Sequence, residues 1–194
     1  MIKAIIFDFF GVLVSEGFKQ FRDNYFPGDD NKWQRAISLV NKHDSGQITK
    51  ADFIKGMAKI SHKDYDFVAQ NINDNRPNET LIKYIREQLK LRYKISVLSN
   101  AGDDYLSQML KPQDVALFDD IVLSYRYKMI KPQQEIFELA AERLRVLTTE
   151  CLFIDDSPNH CDGARRAGMK TIFYKDFPSF KSELEKILSS DAND

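Results

Sequence analysis

Residues Ala4-Ile5-Ile6-Phe7-Asp8-Phe9-Phe10-Gly11-Val12-Leu13 decide how the chain is read. Ala4–Asp8 is a short apolar run ending in a carboxylate, and Gly11 follows close behind. Such a run reads as a buried strand that stops in a tight loop, and it is too short for a signal-peptide core or a membrane span. Runs of the same kind recur at Ile95–Ser99, Asp120–Ser124, Cys151–Asp155 and Thr171–Tyr174. Helical spacing lies between and after them, as in Ile136, Leu139, Ala140, Leu144 and in Phe180, Leu184, Ile187, Leu188. Apolar strands alternating with amphipathic helices predict an α/β fold, a three-layer doubly wound parallel sheet covered on both faces. Ligands should then meet the sheet at its strand C-termini.

The rhythm breaks once. Between the first and second strands, Gly17–Phe26, Asn31–Lys42, Lys50–Ile60 and Asp64–Ile72 carry apolar residues at helical spacing, interrupted by Pro27-Gly28-Asp29-Asp30 and Asp44-Ser45-Gly46. This predicts a small helical cap over 15–79, inserted into a core domain made of 1–14 and 80–194. Leu81–Leu91 should return the chain to the sheet as a core helix, and Ser189–Asp194 reads as a frayed polar tail.

The balance of charge narrows the partners. Lys and Arg total 28 of 194 residues against 29 Asp and Glu, a net charge of -1, which gives no electrostatic support for binding nucleic acid or an anionic membrane. The two cysteines, Cys151 and Cys161, form neither a disulfide framework nor a Cys-x-x-Cys pair. A soluble cytoplasmic protein acting on a small molecule is expected.

Four polar signals sit at strand ends. Asp8 closes the first strand, where a carboxylate can act as a nucleophile. Ser99-Asn100-Ala101-Gly102 follows the second, offering hydroxyl, amide and backbone N–H groups to an anion. Lys131, before Pro132, follows the third and could neutralise a phosphoryl or carboxylate charge. Asp155-Asp156 closes the fourth, and adjacent carboxylates near a third one call for a hard cation. Each signal alone is common turn or cap chemistry. Their order along successive strands of one sheet is what turn propensity does not produce.

Phe7-Asp8-Phe9-Phe10-Gly11-Val12-Leu13, Leu98-Ser99-Asn100, Lys131-Pro132, and Phe153-Ile154-Asp155-Asp156 with Ala164 and Ala167-Gly168 together resemble the four motifs of the haloacid dehalogenase-like hydrolase superfamily. The helical stretch resembles that superfamily's cap, and Asp44-Ser45-Gly46-Gln47-Ile48-Thr49 a linker found inside such caps. The resemblance implies phosphatase-type chemistry on a small phosphate ester through an aspartyl intermediate at Asp8. Mg²⁺ would be held by Asp8, the main-chain carbonyl of Phe10 and Asp156. Ser99 and Asn100 would hold the transferring group, and Lys131, tethered by Asp155, would balance charge.

Two positions depart from the pattern. Phosphatases of the superfamily carry a second Asp two residues after the nucleophile, as acid and base for the leaving group; here that residue is Phe10. Its absence should cost about 10²- to 10⁴-fold in rate on leaving groups that need a proton. His160 stands where Asp or Asn is frequent and reads as a polar helix-start residue. Because the dehalogenase branch has an aromatic residue at the position of Phe10, a 2-haloacid dehalogenase is one alternative; a binding protein without turnover is another. Paired Asp155 and Asp156 favour the metal-dependent side. Asn41–Asp52 has the outline of a calcium loop but lacks its leading carboxylates and closing Glu, so it reads as a cap turn. Trp33, Phe53 and Tyr65 read as cap packing, and Cys161 as a buried thiol.

Overall fold

The structure is a computed structural model that describes residues 1–191. Five strands, β1 (Ala4–Phe7), β2 (Lys94–Ser99), β3 (Asp120–Leu123), β4 (Cys151–Asp155) and β5 (Lys170–Phe173), form one sheet in the order β3-β2-β1-β4-β5. All four pairings are parallel, with Ile5 aligned to both Ile95 and Leu152. The three-layer α/β architecture expected from the sequence is therefore present. The order in which strands are added reverses between β1 and β4, and a crevice is expected at that switch point, beyond the strand C-termini.

The period of two explains why β1 is apolar throughout. Ile5 and Phe7 face a core shared with Leu81, Ile85, Leu152 and Phe180, whereas Ala4 and Ile6 face another built with Ile136, Phe137, Ala140 and Ala164. Covering the first face are α5 (Glu79–Tyr84) and α11 (Phe177–Asp191), and covering the second are α9 (Gln134–Arg143) and α10 (Pro158–Arg166). Phe7 and Phe180 meet edge to face at 6.1 Å.

Four helices follow β1: α1 (Gly17–Tyr25), α2 (Asp30–Asp44), α3 (Lys50–Ser61) and α4 (Tyr65–Ile72). They share an apolar cluster of their own, including Phe21, Ala36, Phe53, Met57 and Val68. The starts of α2, α3 and α4 are set by side-chain caps: Asp29 accepts from Lys32 N–H, Thr49 from Asp52 N–H and Asp64 from Phe67 N–H. The outgoing and returning segments are paired. Ser15 N–H donates to Arg76 O at 2.9 Å, Arg76 N–H to Ser15 Oγ at 2.8 Å and Asn78 N–H to Leu13 O at 2.9 Å. The Asn78 side chain also bonds Val12 O and the Tyr174 hydroxyl, so both crossings are fastened to the sheet domain.

Local departures from the sequence reading have local causes. Leu81–Leu91 is not one regular helix: α5 runs into a π-helical turn over Ile85–Leu89, whose widened ring is closed by Lys90 N–H donating to Ile85 O. Short helices α6 (Leu106–Met109), α7 (Pro112–Val115) and α8 (Ser124–Tyr127) fill connections too brief for periodicity to register. Tyr65 does not pack the cap; as the first residue of α4 it is 40% exposed. At the expected polar tail, Ser189–Asp191 continue α11, because buried Asp191 accepts hydrogen bonds from Ile2 N–H and Lys170 Nζ; residues 192–194 lie outside the described residues.

Phe7→Ala should leave an unfilled hole between β1 and α11. A loss of about 3–5 kcal/mol in unfolding free energy is expected by urea denaturation.

Candidate active site

The tight turn after β1 fixes Asp8. Its N–H donates to Ile154 O, continuing the ladder by one residue, and the chain then folds back through Gly11 at φ +82°. Leu13 and Val14 N–H both donate to Phe9 O. Asp8 Oδ1 accepts from Phe9 N–H at 2.6 Å and lies 2.7 Å from Lys131 Nζ.

Lys131 is a buried cation, 2% exposed, and its ammonium also lies 2.7 Å from Asp155 Oδ2. Asn100 positions it by a two-way clasp: Asn100 Oδ1 accepts from Lys131 N–H at 2.8 Å, and Asn100 Nδ2 donates to Lys131 O at 3.1 Å. Asp155 Oδ1 takes Ser157 N–H at 2.8 Å and faces His160 Nδ1 at 3.0 Å, which ties the end of β4 to the start of α10. Ser99 is fully buried, its hydroxyl 3.5 Å from Asn100 O. The four strand-end signals thus converge on one centre.

Charge is unevenly settled there. Burial opposes the Lys131 ammonium, but Asp155 and Asp8 outweigh it and hold its pKa above the usual lysine value. Asp155 is buried too, yet Lys131 and His160 keep it well below the ordinary carboxylate range. Asp8 goes the other way: burial, with Asp155 and Asp156 adding repulsion, raises it despite Lys131. Asp156 is raised by burial and by Asp155. Asp156 accepts no hydrogen bond and forms no ion pair among the described residues.

The turn glycine has a steric reason as well. A Cβ on Gly11 would fall 2.3 Å from Asp156 Oδ2, so only glycine lets the Phe10–Gly11 backbone lie against that carboxylate. A different group, Asp8, Asp155 and His160, also offers ligand atoms within 4.8 Å of one another. In that group Asp155 is already served by Lys131, Ser157 and His160.

Position 10 holds no acid. The Phe10 ring packs edge-on against Phe9 at 5.0 Å and Tyr105 at 5.6 Å, forming an aromatic wall. Two carboxylates that the sequence reading passed over approach from elsewhere. Glu16, just before α1, is raised by burial and by Asp156. Asp44, at the end of α2, is raised by burial and is close enough to feel Lys131 and His160. Only the Asp-Ser-Gly punctuation marked Asp44, and nothing in the sequence marked Glu16. Cys161 is buried, and burial pushes its thiol up to about 11.

Residues 5–174 match the family described as haloacid dehalogenase-like hydrolase, and the chain belongs to it. It is 28% identical to a phosphatase of Mycobacterium tuberculosis over 87% of this chain and 85% of that protein. It is 23% identical to the D-ribitol-5-phosphate phosphatase of Bacteroides thetaiotaomicron over 98% of this chain and 100% of that protein. Among solved structures, a HAD family enzyme of Bacteroides thetaiotaomicron in complex with magnesium and inorganic phosphate superimposes with a TM-score of 0.70 at 26% identity, covering 90% of this chain and 95% of that one. An L-2-haloacid dehalogenase of Xanthobacter autotrophicus shares the fold, with a TM-score of 0.65 at 20% identity, over 88% and 76%. No helix among the described residues is long and apolar enough to cross a membrane.

Removing the ammonium leaves Asp8 and Asp155 buried without their shared cation. Lys131→Met should therefore lose about 3–5 kcal/mol of stability near neutral pH. Without the cation the Asp8 carboxyl, already raised, rises further, and Asp155 loses the largest influence that lowers it, so the deficit grows as pH rises and shrinks on acidification. Thermal unfolding at pH 5 and pH 8 checks this; an equal deficit at both would show that lost packing, not charge, is the cause.

Proposed function

We propose that the chain is a Mg²⁺-dependent phosphatase acting on a small phosphorylated metabolite through an aspartyl intermediate at Asp8. The observation that carries this reading is the unbalanced negative charge of Asp8 and Asp156 beside a single committed ammonium. The phosphatase names of full-length relatives and the magnesium and phosphate of the structural neighbour support it.

The donor set suits a hard cation. Asp8, the Phe10 carbonyl and Asp156 are all oxygen donors, and the missing Cβ at Gly11 leaves room for the Asp156 carboxylate beside the turn. Mg²⁺ held there supplies positive charge against a transferring phosphoryl group. Lys131 and Phe9 N–H hold Asp8 Oδ1, leaving Oδ2 to attack phosphorus. Ser99 and the Asn100 backbone border the transferring group, while the Asn100 side chain keeps Lys131 in place. Asp155 anchors that ammonium.

Residues 15–79 act as the cap, and 1–14 with 80–194 as the catalytic core. Near balance of charge and two free, buried thiols support a cytoplasmic setting and a small-molecule substrate rather than nucleic acid or membrane.

Purified protein with Mg²⁺ should hydrolyse an activated aryl phosphate or members of a phosphorylated-metabolite panel. Halide release from 2-haloacids instead would establish the dehalogenase reading, and no turnover on any substrate the binding role. Asp8→Asn should reduce turnover at least about 10³-fold on every substrate.

Metal affinity offers a separate measurement. Gly11→Ala should push the Asp156 carboxylate away and weaken Mg²⁺ binding about 10-fold or more by titration calorimetry. Unchanged affinity in both Gly11→Ala and Asp156→Asn would remove Asp156 from the ligand set.

A further inference from the structure

The end of α2 is docked onto the loop that follows β2. Asp44 O accepts a hydrogen bond from the Ser124 hydroxyl, and the same hydroxyl accepts from Ala101 N–H at 2.9 Å. One residue earlier, the buried His43 ring lies between two surfaces. Phe53 stacks on it with centroids 4.7 Å apart and planes 11° from parallel, and Gly102 abuts it so closely that a Cβ there would fall 2.4 Å from Cε1. His43 Nδ1 is 3.6 Å from Asp44 Oδ1. Its Nε2 is the one buried side-chain nitrogen or oxygen without a hydrogen-bond partner among the described residues. A cap carboxyl is thereby held at the rim of the loop carrying Asn100 and Ala101.

The reaction proposed above lacks a proton donor at position 10, where Phe10 packs on Tyr105. We propose that Asp44, carried by the cap and positioned by His43, is the acid–base group serving the leaving oxygen in place of the side chain at position 10. This inference rests on the phosphatase reading. As Asp8 Oδ2 bonds to phosphorus and the bond to the leaving oxygen breaks, the Asp44 carboxyl gives its proton to that oxygen, releasing an alcohol. Water then attacks the phosphorus of the aspartyl phosphate, the bond to Asp8 breaks, and the proton lost by water returns to Asp44. Ester and water become alcohol and phosphate, with both carboxyl groups restored.

The groups facing Asp44 suit this role. Burial favours its protonated form, whereas His43 on its own helix and Lys131 and His160 from the core favour the carboxylate. The Tyr105 hydroxyl is itself held above the ordinary phenol range by burial, with Asp103 and Asp44 contributing, and so stays neutral. Lys50 sits over the Tyr105 ring at 4.8 Å.

Asp44→Asn keeps the main-chain oxygen that Ser124 holds, so the dock survives. The test compares this variant with the parent chain, with Mg²⁺ present, on an alkyl phosphate and on an activated aryl phosphate. Alkyl turnover should fall about 10²- to 10⁴-fold and aryl turnover less than about 10-fold, since only the former leaving group needs a proton. The parent's alkyl rate should decline as pH rises through the Asp44 pKa, and the variant should lose that limb. Adding Phe10→Asp to Asp44→Asn should restore alkyl turnover. His43→Phe retains the stacked ring but removes a group favouring the carboxylate, so the limb should move to higher pH. That variant reads the same carboxyl even if Asp44→Asn folds poorly. Equal loss on both substrates, or an unmoved limb in His43→Phe, would overturn the role of Asp44 while Asp8→Asn still abolishes activity. A parent chain that hydrolyses no phosphate would overturn the phosphatase reading and this inference with it.

Discussion

A single buried ammonium organises the centre of this protein. Lys131 bridges Asp8, at the end of β1, and Asp155, at the end of β4, at 2.7 Å from each. Stripping water from three charged groups costs far more than one exposed pair returns, so the arrangement stands only with its hydrogen bonds complete. The surrounding loops complete them. Asn100 grips the Lys131 backbone, Phe9 N–H serves Asp8, and Ser157 and His160 serve Asp155. Each of these groups comes from a strand end, the loop after it or, for His160, the first turn of the helix that follows, so the ion cluster and the sheet topology specify one another.

What the cluster leaves over is as informative as what it satisfies. Two positive half-shares cannot balance Asp8, Asp155 and Asp156, and the surplus falls on the two carboxylates that flank Gly11. In the neighbouring aromatic wall of Phe9, Phe10 and Tyr105, position 10 carries no proton, and burial holds the Tyr105 hydroxyl in its neutral form. In the reading proposed above, a cation would bind at the β1–β4 crevice and a proton would be handled toward the cap.

The fold was legible because its strands are buried on both faces. Ala4–Phe7 and Cys151–Asp155 read as continuous apolar runs, and each ends in the carboxylate that marks where the strand stops. The cap helices were legible from 3.6-residue spacing and from Asp and Thr caps, to within a few residues. Pairwise geometry was not. That the Asn100 side chain would grip Lys131 depends on side-chain directions across loops 31 residues apart, and that His160 would face Asp155, five residues before it, depends on how the turn between β4 and α10 aims the ring. Asp44 and Glu16 were invisible for the same reason: their neighbours at the centre come from distant segments, and no local pattern encodes that approach. The π-helical turn at Ile85–Leu89 differs from an α-helix by one residue per ring, which periodicity over so short a span does not resolve.

The strand order has a consequence for how the molecule acquires its shape. β1 is central, yet its partners β2 and β4 begin at Lys94 and Cys151. The cap helices, by contrast, bury Phe21, Phe53 and Met57 against residues nearby in sequence. Local contacts of this kind close quickly, whereas parallel pairing must wait for long loops to close. During synthesis the apolar β1 segment therefore emerges well before either neighbour exists, while the helices after it can already collapse. The helical insertion thus stands, during translation, between an unpaired sticky strand and the rest of the nascent chain.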